Sequence, residues 1–417
     1  MQTWFEGAGF GMFIHWGLSS VGGWELSWPM VGGVPILPQC QSVSIAEYYA
    51  AATAFNPERY DPRAWARLAR RLGMQYAILT AKHHDGFALF DTSLSDFSIM
   101  SAPYGQDIVR TWIDAFRAEG LRVGLYFSLS DWHHPDYPAF TEADKPYNFF
   151  ALPQPTPAQW ARYLAFMFGQ VRELLTNYGR VDIIWFDGGW ERQPTERWKP
   201  AELRHMIKSL QPQILINDRL TDHGDFDTPE QFIPAQPPSR PWETCMTMNE
   251  SWGYSPSDTH YKSPRQLIHA LCEVRGKGGN LLLNVSPMAD GTLPPEQLER
   301  LEVIAAWMAA HAESIVGITP GLDAWQFYGP STRRGERIYL PLLMKPYDTV
   351  AVRGVPIKRI RSVRALASGA ELPFATRCAL IDGMFNADPM GELTITVPES
   401  IVDPYATVIA VDIAPAT

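Results

Sequence analysis

Between Gly9 and about residue 317, short and almost unbroken apolar runs alternate with stretches whose apolar positions recur three and four residues apart. The runs predict strands at 9–16, 75–84, 121–130, 181–187, 213–218, 243–248 and 280–286. The stretches between them, among them 61–73, 107–120 and 158–179, predict helices with one buried stripe. Gly73, Gly120 and Gly179 mark where these helices stop. Strands that are apolar on both faces and separated by helices form parallel sheets covered on each side. Seven of them, followed by a helical stretch at 294–317, predict an irregular (β/α)8 barrel with one strand distorted or missing. An open doubly wound sheet is the rival, but no glycine-rich phosphate loop follows the first strand. From Thr319 onward the pattern changes. "TVAVRGV", "ELTITV" and "ATVIAVDI" alternate or run β-branched, so residues 1–318 are expected to form the barrel and 319–417 a C-terminal β-sandwich.

Barrels of this kind build their sites at the C-terminal ends of the strands. Those positions hold His15; His83, His84 and Asp85; Ser130, Asp131, His133 and His134; Asp187; Asn217, Asp218 and Arg219; Asn249 and Glu250; and Asn284. One such residue is commonly a turn or helix-cap residue. A polar group at the same end of every strand points to a site instead. The stretch "IIWFDGGW" at 183–190 concentrates the question, because an apolar strand runs straight into one carboxylate, Asp187, and then into two glycines. Framed by Trp185 and Trp190, with no side chain on the next two residues, Asp187 is a candidate nucleophile for a glycosidase, which works with paired carboxyls.

Composition narrows the partners. A net charge of −10 argues against a nucleic-acid groove, and no apolar stretch is long enough for a membrane span. Four cysteines without a CxxC pair indicate neither a zinc knuckle nor a disulfide scaffold. The 15 tryptophans suit the apolar faces of sugar rings, although core packing accounts for many of them. The first residues lack the features of a secretion signal, which fits a cytoplasmic protein or one whose signal has been removed. "KHHDG" and "DWHHPDY" raise metal binding, but neighbouring side chains on a strand face opposite ways, which separates His83 from His84. Neutral imidazoles, each with one donor and one acceptor, suit sugar hydroxyls better. There is no GxSxG nucleophile elbow.

The segments "FGMFIHWG", "LTAKHHDGFALFDT", "GLYFSLSDWH", "IIWFDGGW", "INDR", "DTPEQ", "WETCMTMNESWGY" and "GGNLLLNVSPMADG" together resemble the α-L-fucosidases of glycoside hydrolase family 29, from near residue 4 to the C-terminus. The resemblance implies an irregular barrel followed by a β-sandwich, and a retaining exo-glycosidase that removes terminal α-linked L-fucose from oligosaccharides or glycoconjugates without a cofactor or metal. It implies Asp187 as nucleophile and Glu230 as acid/base, with Glu243 as the alternative. It further implies fucose contacts from His15, His83, His84, Tyr126, Trp185 and Arg219, with Trp24 and Glu25 as looser matches. Trp252 is the candidate to cover the C5 methyl. "DTPEQ" with "WETCMTMN" resembles the branch that acts on α-1,3/1,4 linkages; α-1,2 and α-1,6 linkages remain the alternatives. A non-catalytic sugar-binding protein and a metal-dependent hydrolase on the same barrel are the rivals from other classes.

Overall fold

The computed structural model describes residues 4–33, 42–146, 153–190, 195–221 and 223–416. Seven parallel strands form one curled sheet: β1 (Phe10–Ile14), β2 (Tyr76–Lys82), β3 (Arg122–Ser128), β4 (Ile183–Asp187), β5 (Leu215–Ile216), β6 (Glu243–Met246) and β7 (Asn280–Val285). Their spatial order is β5-β4-β3-β2-β1-β7-β6. The predicted strands are all present, trimmed at their ends. The helices at Pro62–Arg71, Ile108–Ala118 and Pro157–Asn177 lie where the three-and-four spacing put them.

Alternation along the strands divides the barrel into two cores. Phe13, Tyr76, Ile78, Tyr126, Ile183, Trp185, Cys245 and Leu282 point inward and pack as one cluster, joined by Phe5 from the N-terminal helix Trp4–Ala8. Their strand neighbours Met12, Leu79, Leu125, Ile184 and Leu283 point outward into the cluster shared with the helices. Interior side chains stacked in layers are what fills a small parallel barrel.

The regular ladder stops between β5 and β6, and this is the irregularity that the sequence foreshadowed. Residues 225–231 cross the gap through isolated parallel bridges, Asn217 to Phe226, Asp227 to Trp242 and Glu230 to Cys245. The backbone bonds Asp225 N to Ile216 O (2.6 Å) and Cys245 N to Pro229 O (3.1 Å) tie it to both edges. No helix separates this segment from β6; the intervening chain, with Pro234, Pro237, Pro238 and Pro241, lacks the N–H groups a helix would need.

Beyond the barrel, eight antiparallel strands follow: β8 (Thr319–Pro320), β9 (Thr332–Arg334), β10 (Arg337–Leu342), β11 (Thr349–Pro356), β12 (Ile360–Ala365), β13 (Phe374–Arg377), β14 (Met390–Thr396) and β15 (Thr407–Ile413). They form sheets β12-β15-β10-β9-β8 and β11-β14-β13, which share one core of residues such as Leu340, Val352, Leu393 and Val411. Ala406 and Val408 instead join the barrel-side cluster, and Trp307 Nε1 donates to Ala406 O at 3.0 Å, which seats the five-stranded sheet on the helix Pro295–His311.

Candidate active site

Ile183, Trp185 and Asp187 alternate inward on β4, so the strand delivers Asp187 to the mouth of the barrel, level with Ser128 of β3. Its side chain keeps 17 % of its surface exposed. Oδ2 accepts from the Tyr126 hydroxyl at 2.9 Å and Oδ1 from Arg219 Nη1 at 3.3 Å. Burial pushes the carboxyl above its ordinary pKa, while Arg219, Tyr126 and the Gly188 N–H pull it back toward the ionised form. The charge that ends this apolar strand is thus received by two side-chain donors and one amide.

The two glycines after Asp187 are required by the backbone. Gly188 and Gly189 have φ of 75° and 88°, in the left-handed region that side chains disfavour. A β-carbon on Gly188 would stand 2.8 Å from Ser130 Oγ and 3.2 Å from Ser128 Oγ. The tight turn lets Gly189 N donate to Ser130 Oγ at 3.1 Å and Leu129 N to Asp187 O at 2.7 Å.

Arg219, just beyond β5, is anchored by two acids. Nη2 donates to Glu230 Oε2 at 2.8 Å while Nη1 serves Asp187, and the guanidinium lies 5.3 Å over the Trp185 ring. Burial works against its charge, but Asp187 and Glu230 hold it firmly protonated. Glu230 sits on the segment that fills the barrel gap, its side chain 41 % exposed. Gln231, the next residue, accepts from Thr247 N at 3.1 Å, and Thr228 N donates to Asp218 at 3.1 Å. The segment that carries Glu230 is therefore part of the barrel wall.

A cavity of about 260 Å³ opens between these groups. Drug-sized sites run to roughly 300–1,000 Å³, so this one is scaled to a single sugar ring. Of the sequence-derived residues, His15, His83, Tyr126, Trp185, Asp187, Arg219, Glu230 and Trp252 line it. Phe13, Leu26, Trp28, Trp190 and Cys245 line it as well, without having been singled out for contact. Phe13 was readable, because it lies two residues before His15 on the same strand face. Leu26 was not, since it reaches the wall through a positive φ of 48° that its residue type does not announce.

The histidines are held by hydrogen bonds. His15 Nδ1 lies 2.7 Å from Asn284 Oδ1, and Asn284 Nδ2 donates to Trp252 O at 2.8 Å. That orientation makes Oδ1 the acceptor, so Nδ1 carries the His15 proton and Nε2 is left as an acceptor. Burial lowers the His15 pKa to about 4, which keeps the ring neutral. His83 is also driven well below its ordinary value by burial, with His84 and His15 adding to the effect, and its Nδ1 pairs with Ser27 Oγ at 2.7 Å. His84 is fully buried behind the lining, 3.9 Å from Asp187 Oδ2 through Nε2 and 2.6 Å from Ser128 Oγ through Nδ1. The expected separation of His83 and His84 onto opposite faces does not hold. Both follow the end of β2, where strand alternation no longer applies, and their rings lie 4.1 Å apart. No group of three or more His, Cys, Asp or Glu poised around one ion occurs among the described residues.

Besides His84, three more sequence-derived residues lie outside the lining. Glu243 is fully buried in the barrel below the cavity, where it accepts from Trp185 Nε1 at 2.9 Å and from the Tyr76 hydroxyl at 2.5 Å. Burial raises its pKa to about 7 against those two bonds. Glu25 is buried as well and accepts the backbone N–H groups of Trp252 (2.8 Å) and Gly253 (2.9 Å), so it pins the loop that presents Trp252. Burial raises Glu25 to about 8. Trp24 stacks on Tyr48 with ring centroids 5.1 Å apart. Asp85 and Asp131 belong to a buried support layer, holding the Tyr48 hydroxyl (2.7 Å) and Lys82 (3.0 Å) respectively.

Residues 1–313 match the family model described as Alpha-L-fucosidase. An alpha-L-fucosidase of Dictyostelium discoideum is 30 % identical over 388 residues, covering 86 % of this chain and 81 % of that protein. Among solved structures, alpha-L-fucosidase isoenzyme 1 from Paenibacillus thiaminolyticus is 38 % identical with a TM-score of 0.85, covering 99 % of this chain and 98 % of the other. The alpha-fucosidase of Thermotoga maritima, solved in complex with a mechanism-based inhibitor, is 28 % identical with a TM-score of 0.76, covering 98 % and 96 %.

Proposed function

Because the chain belongs to the α-L-fucosidase family, a family of glycoside hydrolases, we propose that it releases terminal L-fucose with net retention through a covalent intermediate on Asp187. In the first step an Asp187 oxygen bonds to C1 of fucose as the bond from C1 to the leaving oxygen breaks, and Glu230 gives its proton to that oxygen. In the second step Glu230, now a carboxylate, takes a proton from water. The water oxygen bonds to C1 and the Asp187 ester bond breaks. Arg219 and Tyr126 steady the Asp187 charge between turnovers.

The observation that carries this reading is the sharing of Arg219: one guanidinium gathers Asp187 and Glu230 into the same sugar-sized cavity, whereas Glu243 lies beneath it. Retaining enzymes need their carboxyls about 5–5.5 Å apart, a separation that one guanidinium can span. His15, His83 and Tyr126 supply hydrogen-bonding groups for the ring hydroxyls, and Trp252 with Phe13 supplies an apolar wall for the methyl group. His84, in contact range of Asp187, acts from behind the lining.

For linkage we favour α-1,3/1,4-fucosylated oligosaccharides, on the strength of the "DTPEQ" and "WETCMTMN" segments. Proton NMR of the first-formed product distinguishes the stereochemistry: α-L-fucose appearing before mutarotation supports the mechanism, and initial β-L-fucose overturns it. A panel of oligosaccharides differing only in fucose linkage tests the preference.

A further inference from the structure

Beneath the cavity floor lies a buried carboxyl that the reaction above does not use. Glu243 opens β6 and accepts two hydrogen bonds, from Trp185 Nε1 at 2.9 Å and from the Tyr76 hydroxyl at 2.5 Å. Trp185 occupies a central position. Its ring stacks on Tyr126, with centroids 5.6 Å apart and planes 18° from parallel, and the Arg219 guanidinium lies 5.3 Å over it. Tyr126 and Arg219 both donate to Asp187. Aromatic packing alone leaves an indole able to slide and tilt, because stacking has a shallow dependence on offset. A hydrogen bond from Nε1 to a fixed acceptor removes that freedom, and both carboxyl oxygens of Glu243 are engaged.

We propose that Glu243 is a positioning residue for the reaction: by holding the Trp185 indole through its N–H, it keeps Tyr126 and Arg219 aimed at Asp187. The proposal rests on the reading in which Glu230 is the proton donor. Glutamine at 243 preserves the tether, since its carbonyl accepts from Trp185 and its amide donates to the Tyr76 oxygen. Leucine fills similar space but leaves both donors without an acceptor.

The test compares Glu243→Gln, Glu243→Leu, Trp185→Phe and the Leu/Phe double variant on an aryl fucoside and on a natural oligosaccharide, with rates normalised by active-site titration. Glu243→Gln is expected to keep kcat within about threefold, and Glu243→Leu to lose about 10-fold or more in kcat on both substrates with KM little changed, as for an interaction felt in the transition state. In the Trp185→Phe background the leucine change should cost less than about twofold, the non-additivity of groups that act through one another. Azide should rescue none of these variants. If glutamine is as damaging as leucine, spares only the aryl substrate and responds to azide, Glu243 is the proton donor, and both this proposal and the Glu230 assignment fall. If leucine leaves kcat unchanged, or costs as much without the indole N–H as with it, the positioning role falls and the Glu230 assignment stands. Should the leucine variant not fold, a Trp185→Phe enzyme with unchanged kcat overturns the proposal by itself.

Discussion

Arg219 donates to Asp187 from one nitrogen, at 3.3 Å, and to Glu230 from another, at 2.8 Å. A single planar cation thus sets the spacing of the two carboxyl groups and moderates the charge on Asp187. Lysine has no second fork with which to bridge them.

Arg219→Lys should therefore lower kcat/KM by about 10- to 100-fold, the usual range for losing a charge-assisted bond of ~1.5–3 kcal/mol. The pH profile supplies a sign. Burial raises the Asp187 pKa and Arg219 counteracts it, so weakening Arg219 raises it further. In the proposed mechanism Asp187 must be ionised to attack. The acidic limb of kcat/KM should shift to higher pH, and an unmoved limb would separate Arg219 from the nucleophile.

Tyr126 gives Asp187 its other side-chain donor, at 2.9 Å. Removing the hydroxyl in Tyr126→Phe keeps the ring stacked on Trp185. A loss of about 10-fold or more in kcat/KM is expected, from a bond of ~1.5–3 kcal/mol to a charged group. The same upward displacement of the acidic limb should accompany it, to be read from initial rates across pH.

Gly188→Ala tests the turn. Its φ of 75° and the approach of Ser130 Oγ to 2.8 Å of the new β-carbon leave alanine strained. Strain of this kind costs about 1–3 kcal/mol. Thermal denaturation should show a lower Tm, and residual activity should fall by more than the unfolded fraction explains, because the displaced turn carries Asp187 with it.

Two buried carboxyls give stability a pH dependence of defined sign. Glu243 and Glu25 have folded values of about 7 and about 8 against 4.5 for the free side chain. The native state therefore holds protons that the unfolded chain has released. Their stabilising contribution is complete below the unfolded value and is lost as pH rises through the folded ones. Calorimetry over this range should show Tm falling with rising pH, with a shallower fall in Glu243→Gln.

Much of this was legible in the chain. Strands such as 121–130 are apolar on both faces because each is buried twice, once against the barrel interior and once against helices. Asp187, His15 and Arg219 were legible because strand ends are where a barrel collects its polar groups, whereas Tyr126, inside β3, was implied only by the family resemblance. The remainder depends on departures from regular structure. Glu230 faces the cavity from a segment that replaces a strand without a strand's pattern. Glu243 was placed correctly at the start of β6, yet one step of depth along the barrel separates it from the cavity, and sequence spacing does not encode that depth. His83 and His84 follow a strand end, so the alternation rule failed for them. Leu26 depends on a backbone angle unusual for leucine.

The central claim is that Asp187 forms a covalent bond to C1 of fucose. Inactivation with a 2-deoxy-2-fluoro-fucosyl reagent, followed by digestion and mass spectrometry, reads this bond directly. The account predicts one fluorofucosyl group per chain on the peptide containing Asp187, with no label in Asp187→Ala. A label on any other peptide, or turnover of the reagent with none trapped, would contradict it.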